Sequence, residues 1–482
     1  MRETRSPPAV DPLCGGLLPI LPEAEDRIAL RNDRGQEWSR SDLRREALDL
    51  AGRLECDRKK LVFLETSQCG ASLIGLLAAA AAGHAVALID PALGPDKRDR
   101  LVAAYAPDLV MTTSVDSETI QTRAITADRS AEHPAIHPDL LLLLSTSGTT
   151  GSAKFVRLSA RALVANARQI ATVLDIDLRS MAVAHLPFHY SYGLSVVTSH
   201  LVVGGAVAVI DDAVTSPSFW AKVADANGTH FPGVPFHYAT LARLGFGLVA
   251  PSLTTFTQAG GSLDLRFQKI VYEQVQNRGG RFFVMYGQTE AAPRMTTLPS
   301  ELWAEKLGSV GKALPEGTLT ILDSEGQAVV SPEVVGAVVY QGPNVMMGYS
   351  ETRAELGLGD TTGGLLDTGD IGRLDSDGYL FLQGRMKRFA KIAGLRLGLD
   401  EIEREIGTMP PVYCLDAGDK VAVCHEGPVP DALKARLRAI ATEYKVPSNS
   451  FAVHEVAAIP RKSSGKIDYA RLGDEIRVRT AS

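Results

Sequence analysis

The stretch Leu140-Leu-Leu-Leu-Leu-Ser145-Thr146-Ser147-Gly148-Thr149-Thr150-Gly151-Ser152-Ala153-Lys154 decides the reading of this chain. Five consecutive leucines predict a strand buried on both faces, as in a parallel sheet. The strand runs into a loop of small hydroxyl and glycine residues. Such a loop can turn backbone N–H groups toward a bound anion, and its hydroxyls add donors. Lys154 closes it with a positive charge. The loop is not a Walker motif, because Lys154 stands three residues after Gly151 rather than directly after a glycine, which disfavours a P-loop kinase or ATPase. Taken alone, it is as well explained as a flexible polar loop.

Working outward, strands alternate with helices. Leu61–Leu64, Ala85–Ile89 and Asp108–Thr112 read as strands, and residues 67–82 as a helix. A further helix follows Glu37–Ser39, with its cap placed near Ser41, and another runs from Ser159 to about Leu174. This alternation predicts right-handed βαβ crossovers and a mostly parallel sheet. The pattern repeats with strands Ala182–Leu186, Ala206–Ile210 and Arg281–Met285, and with aromatic loops at Pro187–Gly193 and Phe231–Tyr238. In open α/β sheets ligands bind beyond the carboxyl ends of strands. The loops after Leu144, Ala259 and Met285 therefore belong to one site. From about residue 306 the strands shorten and turns multiply, which predicts a small β subdomain interrupted at Leu365–Asp370. Beyond Arg388 lies an α+β unit of domain size.

Composition narrows the function. The 482 residues exceed one typical domain, and 45% hydrophobic with 22% charged residues is ordinary for a globular chain. A net charge of −6 gives no footing for nucleic acid or an anionic membrane. The five cysteines include no Cys-x-x-Cys pair, which argues against a zinc site and for a reducing compartment. No apolar run reaches membrane-span length, and the expected location is the cytoplasm.

Six segments, in order, resemble the adenylate-forming superfamily of acyl-CoA synthetases, standalone adenylation domains and firefly-type luciferases. Ser145–Lys154 resembles its phosphate loop, and Tyr286-Gly287-Gln288-Thr289-Glu290 its Tyr-Gly-x-Thr-Glu motif. Thr368-Gly369-Asp370 resembles its ribose-binding motif, and Gly384-Arg385 the boundary before its hinge. Lys391-Ile-Ala-Gly394 resembles the segment that serves thioester formation, and Gly465-Lys466 the C-terminal catalytic lysine.

The resemblance implies an α/β fold: a large N-terminal domain (1–384) of parallel α/β subdomains plus a small β subdomain, a hinge (385–388) at Lys387, and a small mobile α+β C-terminal domain (389–482). It implies ATP-dependent activation of a carboxylic acid to an acyl-adenylate, then transfer to a thiol. Coenzyme A is the expected acceptor, with the phosphopantetheine arm of a separate acyl carrier protein as the alternative. A non-catalytic nucleotide-binding module is a distant third.

Both reactants of the first step are anions, so the site must cancel charge and hold them in line. Glu290 would hold Mg²⁺, with Thr149 beside the phosphates or the metal. Ser145, Thr146, Ser147, Gly148, Thr150, Gly151 and Lys154 would cradle the phosphates. Gly261, Ser262, Tyr286, Gly287, Gln288 and Thr289 would line the nucleotide, with Tyr286 stacked on the adenine. Asp370 and Arg385 would meet the ribose, and Lys466 the substrate carboxylate and α-phosphate. Lys391 and Gly394 would face the thiol, with Lys387 and Arg388 near its phosphates. His189, Tyr190, Phe236, His237 and Gly260 are expected in the acyl pocket, with Phe231, Val234, Pro235, Tyr238 and Gly261 in its wall and Arg294 as a further polar element. The family's gate histidine aligns with Tyr190, with His189 one place earlier, so either residue is the candidate gate. No aspartate of the kind that anchors an α-ammonium group occurs near residues 186–194, which disfavours an α-amino acid.

Overall fold

The computed structural model describes residues 20–21, 26–54, 56–124, 134–145, 154–385, 388–392, 395–407, 411–418, 420–444, 446–462 and 465–480. The phosphate-loop residues Thr146–Gly151, together with Lys387 and Gly394, lie outside these.

The leucine strand Leu140–Ser145 has its five leucines buried. It is parallel to Ala85–Ile89 on one side, but its other neighbour, Phe155–Ser159, is antiparallel. Burial on both faces is thus achieved in a mixed sheet. That sheet has seven strands. Outward from the leucine strand it continues through Ala85–Ile89, Leu61–Glu65, Leu109–Ser114 and Thr119–Ala124, and on the other side through Phe155–Ser159 to Gly348–Ser350. The last of these brings Tyr349, 192 residues downstream of Arg157, beside the strand Phe155–Ser159.

A second sheet of nine strands has a parallel centre: Arg281–Gly287, Thr255–Gln258, His230–Gly233, Met181–Ala184, Ala206–Val209 and Ile28–Asn32. Arg294–Leu298 and Lys312–Ala313 extend it antiparallel at one edge, and Glu37–Ser39 at the other. Alanine and glycine let Gly70–Ala81 pack closely: eleven of its residues are buried and it lies against the helix Arg40–Leu54. The latter helix is capped by Ser39, not near Ser41. Ser39 Oγ accepts from Asp42 N at 3.1 Å, and Asp42 Oδ2 accepts from Ser39 N at 3.0 Å, a reciprocal cap one turn long. Ser159 caps the helix Ala160–Val173 as expected, accepting from Ala162 N at 3.1 Å.

Two segments read as loops are regular. Phe231–Tyr238 divides into the strand His230–Gly233 and the helix Pro235–Leu244, started by a proline whose missing N–H costs nothing in the first turn. The aromatic loop ends at Tyr190, where the helix Ser191–Leu201 begins.

The small β subdomain is a five-stranded antiparallel sheet. Leu365–Leu374 does not interrupt it but is a ten-residue strand within it, paired to Leu380–Arg385 with Asp370 opposite Arg385. From Ala390 onward the chain closes separate apolar cores. One gathers Ile392, Ile402, Val423, Leu433 and Ile440, and another Cys424, Val456 and Leu472. The architecture is therefore α/β, with a large N-terminal part and a small C-terminal α+β part.

Candidate active site

Three strand ends of the N-terminal part converge with one loop of the C-terminal part. Near the end of Arg281–Gly287 stands Tyr286, whose hydroxyl donates to Asp370 Oδ2. Gln288 Nε2 donates to the same oxygen at 2.8 Å and to Thr368 O at 2.7 Å. Arg385 Nε reaches Asp370 Oδ1 at 3.0 Å, while more than half of the arginine side chain remains exposed. The carboxylate is thus buried and oriented by three donors. Burial and the neighbouring Asp370 charge push the Tyr286 phenol well above its ordinary range, so it remains a donor.

Glu290 follows in a short 3₁₀ turn. Its Oε1 accepts from Tyr349 Oη at 2.9 Å, and Lys154 Nζ sits 3.5 Å from the centroid of the Tyr349 ring. The pairing of Gly348–Ser350 with Phe155–Ser159 sets this contact, and Tyr349 carries no motif that would have marked it. Thr289 Oγ1 meets Ser191 Oγ at 3.1 Å. The described residues contain no group of three or more His, Cys, Asp or Glu able to hold a metal ion. A single carboxylate at a phosphate loop suits Mg²⁺, which takes one or two carboxylates and completes its shell from substrate phosphates and water.

Gly260 turns with φ +84°, and the hydroxyl of Tyr190 occupies the space a Cβ there would need. Gln258 Nε2 holds that turn by donating to Gly261 O at 2.8 Å. Val234 borders both Gly260 and Gly465, so the C-terminal loop closes onto this mouth. That loop is a tight turn: Gly465 N donates to Lys462 O, and Lys462 N to Lys466 O, each at 2.8 Å. It places Lys466 Nζ 5.4 Å from the centroid of the Tyr190 ring. Burial first, then the Arg385 charge, push the Lys466 ammonium down to about 8, while Glu290 and Asp370 act in the opposite direction.

The two gate candidates part company. Tyr190 faces Lys466, Gly260 and Tyr192. His189 turns to Asp90, at 3.5 Å, and to Thr66 Oγ1, at 3.3 Å. His237 lies 3.4 Å from His185 Nε2, and burial pushes it down to about 4, so it is neutral at physiological pH. Phe236 is exposed and lies under the Arg461 guanidinium. Ser262, at the same turn as Gly260, is exposed. Lys391 lies on the strand Phe389–Ile392 opposite Arg396. Arg388 is committed elsewhere than to a phosphate: it pairs with Asp400 and, at 2.6 Å, with Glu403, and stacks over Tyr469.

An oriented buried carboxylate, an acidic residue sharing Tyr349 with Lys154, and a lysine delivered from a second part of the chain fit nucleotide-dependent activation of an anion. The sequence signature described as AMP-binding enzyme matches residues 22–350, and the chain belongs to that family. It is 27% identical to the sulfoacetate–CoA ligase of Cupriavidus necator over 75% of this chain and 72% of that protein. It is 28% identical to a feruloyl-CoA synthase of an Amycolatopsis species over 84% and 85%. The fold matches O-succinylbenzoate coenzyme A synthetase from Bacillus subtilis, in complex with ATP and magnesium ion, with a TM-score of 0.76 at 22% identity, over 95% of this chain and 99% of that one. Among the described residues no helix is long and apolar enough to cross a membrane.

Proposed function

We propose that this chain is an AMP-forming acid–thiol ligase. It joins a carboxylic acid to the α-phosphorus of ATP with loss of pyrophosphate, then passes the acyl group to coenzyme A with release of AMP. The observation that carries the reading is the placement of Lys466 at the mouth formed by Tyr190, Gly260 and Val234, within electrostatic reach of Glu290 and Asp370.

In the first step a carboxylate oxygen attacks phosphorus and the bond to the bridging oxygen of pyrophosphate breaks. Two anions must approach, and Lys466 supplies a compact charge where they meet. Asp370, aimed by Tyr286, Gln288 and Arg385, is the acceptor for ribose hydroxyls. Ser145, Thr146–Gly151 and Lys154 form the phosphate cradle. Glu290, with Thr149, would hold Mg²⁺, which when bound neutralises phosphate charge. In the second step a thiol adds to the acyl carbon and AMP leaves. Lys391 and Gly394 serve this step, after residues 389–482 rotate about Lys387 relative to residues 1–384.

Relatives named as coenzyme A ligases for sulfoacetate, ferulate, oxalate and fatty acids support coenzyme A as the acceptor. The phosphopantetheine arm of a separate carrier protein is the second reading. A panel of carboxylic acids, each assayed for pyrophosphate release and then for thioester with coenzyme A or a phosphopantetheinylated carrier, decides both. ATP consumption without AMP would overturn the reading.

A further inference from the structure

Arg294 is 2% exposed and has no carboxylate partner among the described residues. Its guanidinium donates from Nη1 to Ser195 Oγ at 2.6 Å and lies against Tyr192, 3.9 Å from the ring centroid. Nε is buried with nothing to donate to. Ser195 cannot serve it further, since its own proton goes to Tyr192 O.

The other buried arginines behave differently. Arg157 donates to four backbone carbonyls, those of Tyr349, Leu358, Met347 and Gly359. Arg353 pairs with Asp108 and caps Ala106 O. Arg40 is spent on Leu201 O and Gly205 O. Buried charge is normally paired, because desolvation without compensation is costly. Of these four, Arg294 alone meets neither a carboxylate nor a backbone carbonyl, and its main chain is held firmly in place. Its N–H donates to Asn166 Oδ1, and its carbonyl accepts from both Asn166 and Asn344.

Its location gives the exception a use. Tyr192 and Ser195 lie on the helix that begins directly after Tyr190, and Tyr190 lies under Lys466. Tyr190 and Arg294 are near enough to interact electrostatically. His237, the other polar residue of this wall, is neutral. Arg294 therefore lies against the helix that begins after Tyr190, on the acyl side of the proposed site.

We propose that Arg294 is the receiver for a second anionic group on the acid, so that the substrate is a short acid carrying a distal carboxylate or sulfonate. This rests on the ligase reading above. A guanidinium suits such a group, because its fork of donors matches a planar or tetrahedral oxyanion and its charge cannot be lost. A neutral tail of equal length would leave those donors buried and unused, the situation in which a site discriminates most strongly.

The test is ATP-dependent pyrophosphate release by the full-length protein with matched acids: succinate, glutarate and sulfoacetate against butyrate, valerate and monomethyl succinate. Wild type should favour the charged series in kcat/KM by on the order of 10²-fold or more. Arg294→Met should lose most of that preference, chiefly through KM for the charged acids, while keeping or gaining turnover of the neutral ones. Arg294→Lys should retain part of it. Retained turnover of a neutral acid shows that the variant is folded; should Met not fold, Arg294→Gln carries the same expectation. Equal use of both series by wild type, or an unchanged preference in the variants, overturns the role of Arg294 and leaves the ligase reading standing. Pyrophosphate release with no acid of either series would overturn both.

Discussion

Lys466 Nζ and the Tyr190 ring, 276 positions apart in sequence, lie 5.4 Å from nitrogen to ring centroid. The contact joins the C-terminal part of the chain to the acyl mouth of the N-terminal part. It is the arrangement on which the proposed adenylation step rests.

That contact predicts an alkaline limb. Desolvation lowers Lys466 from its ordinary 10.5 to about 8. The ammonium is complete well below pH 8 and is lost as pH rises through it. Adenylation kcat/KM, which reports the free enzyme, should therefore fall above about pH 8. Bound nucleotide adds negative charge and favours the ammonium, so the limb in kcat should lie higher. Lys466→Arg should remove the limb, because guanidinium does not titrate there. Lys466→Ala should lower acyl-adenylate formation by about 10²–10³-fold. It should still pass the acyl group of synthetic acyl-adenylate to a thiol. Equal loss of both half-reactions in a folded variant would contradict the division of labour.

Gly465 adopts φ +76°, and a Cβ there would stand 3.0 Å from Val234 Cγ2. Gly465→Ala should thus meet a left-handed backbone penalty of about 1 kcal/mol, roughly five-fold in rate, plus a steric push that keeps the lysine loop off the mouth. Val234→Ala should recover the steric part in the double variant and leave the backbone part. Adenylation rates of the two single variants and the double variant measure both. Full activity in Gly465→Ala would show that the loop does not dock in this way.

Arg157 is wholly buried and satisfies carbonyls on both sides of Tyr349. Arg157→Leu would leave several buried acceptors unpaired, at about 1–3 kcal/mol for each that water cannot reach. Unfolding stability should fall by about 3 kcal/mol or more. Below the melting transition the strand Gly348–Ser350 should loosen, which hydrogen exchange at Tyr349 and Ser350 would report. Unaltered stability would mean that these carbonyls find other donors.

Much of this was legible in the chain. The leucine run, the alternation of strand and helix, and the motif residues at 286–290, 368–370 and 465–466 are local patterns set by burial and turn chemistry. What escaped was non-local or shared between neighbours. The leucine strand pairs antiparallel with Phe155–Ser159, a direction that its apolar run does not encode. The cap of the helix Arg40–Leu54 falls on Ser39 because Asp42 completes the reciprocal bond. Tyr349 reaches Glu290 through a strand added from far downstream, and no spacing foretells it. Arg388 suits a phosphate by charge alone, but Asp400 and Glu403 hold it. The unpaired state of Arg294 becomes visible only once every neighbour is in place.

Glu290 offers the sharpest test of the metal assignment. Its Oε1 accepts from Tyr349 Oη at 2.9 Å, and the same tyrosine ring carries the Lys154 ammonium on its face. Glu290→Gln keeps the shape and leaves an amide oxygen to accept from Tyr349, so melting temperature should scarcely move. It removes the charge that makes the residue a Mg²⁺ ligand, since a neutral amide is a weaker donor to a hard cation. Adenylation should fall by about 10²-fold or more at low Mg²⁺, with partial recovery as Mg²⁺ is raised. Tyr349→Phe removes only the orienting hydroxyl, and the half-buried carboxylate can still reach solvent, so its loss should remain below about ten-fold. A Mg²⁺ titration of pyrophosphate release across the three proteins separates the roles. An unchanged Mg²⁺ dependence in Glu290→Gln would remove Glu290 from the metal site, and a larger loss in Tyr349→Phe would make the tyrosine, with Lys154, the group that matters at the phosphates.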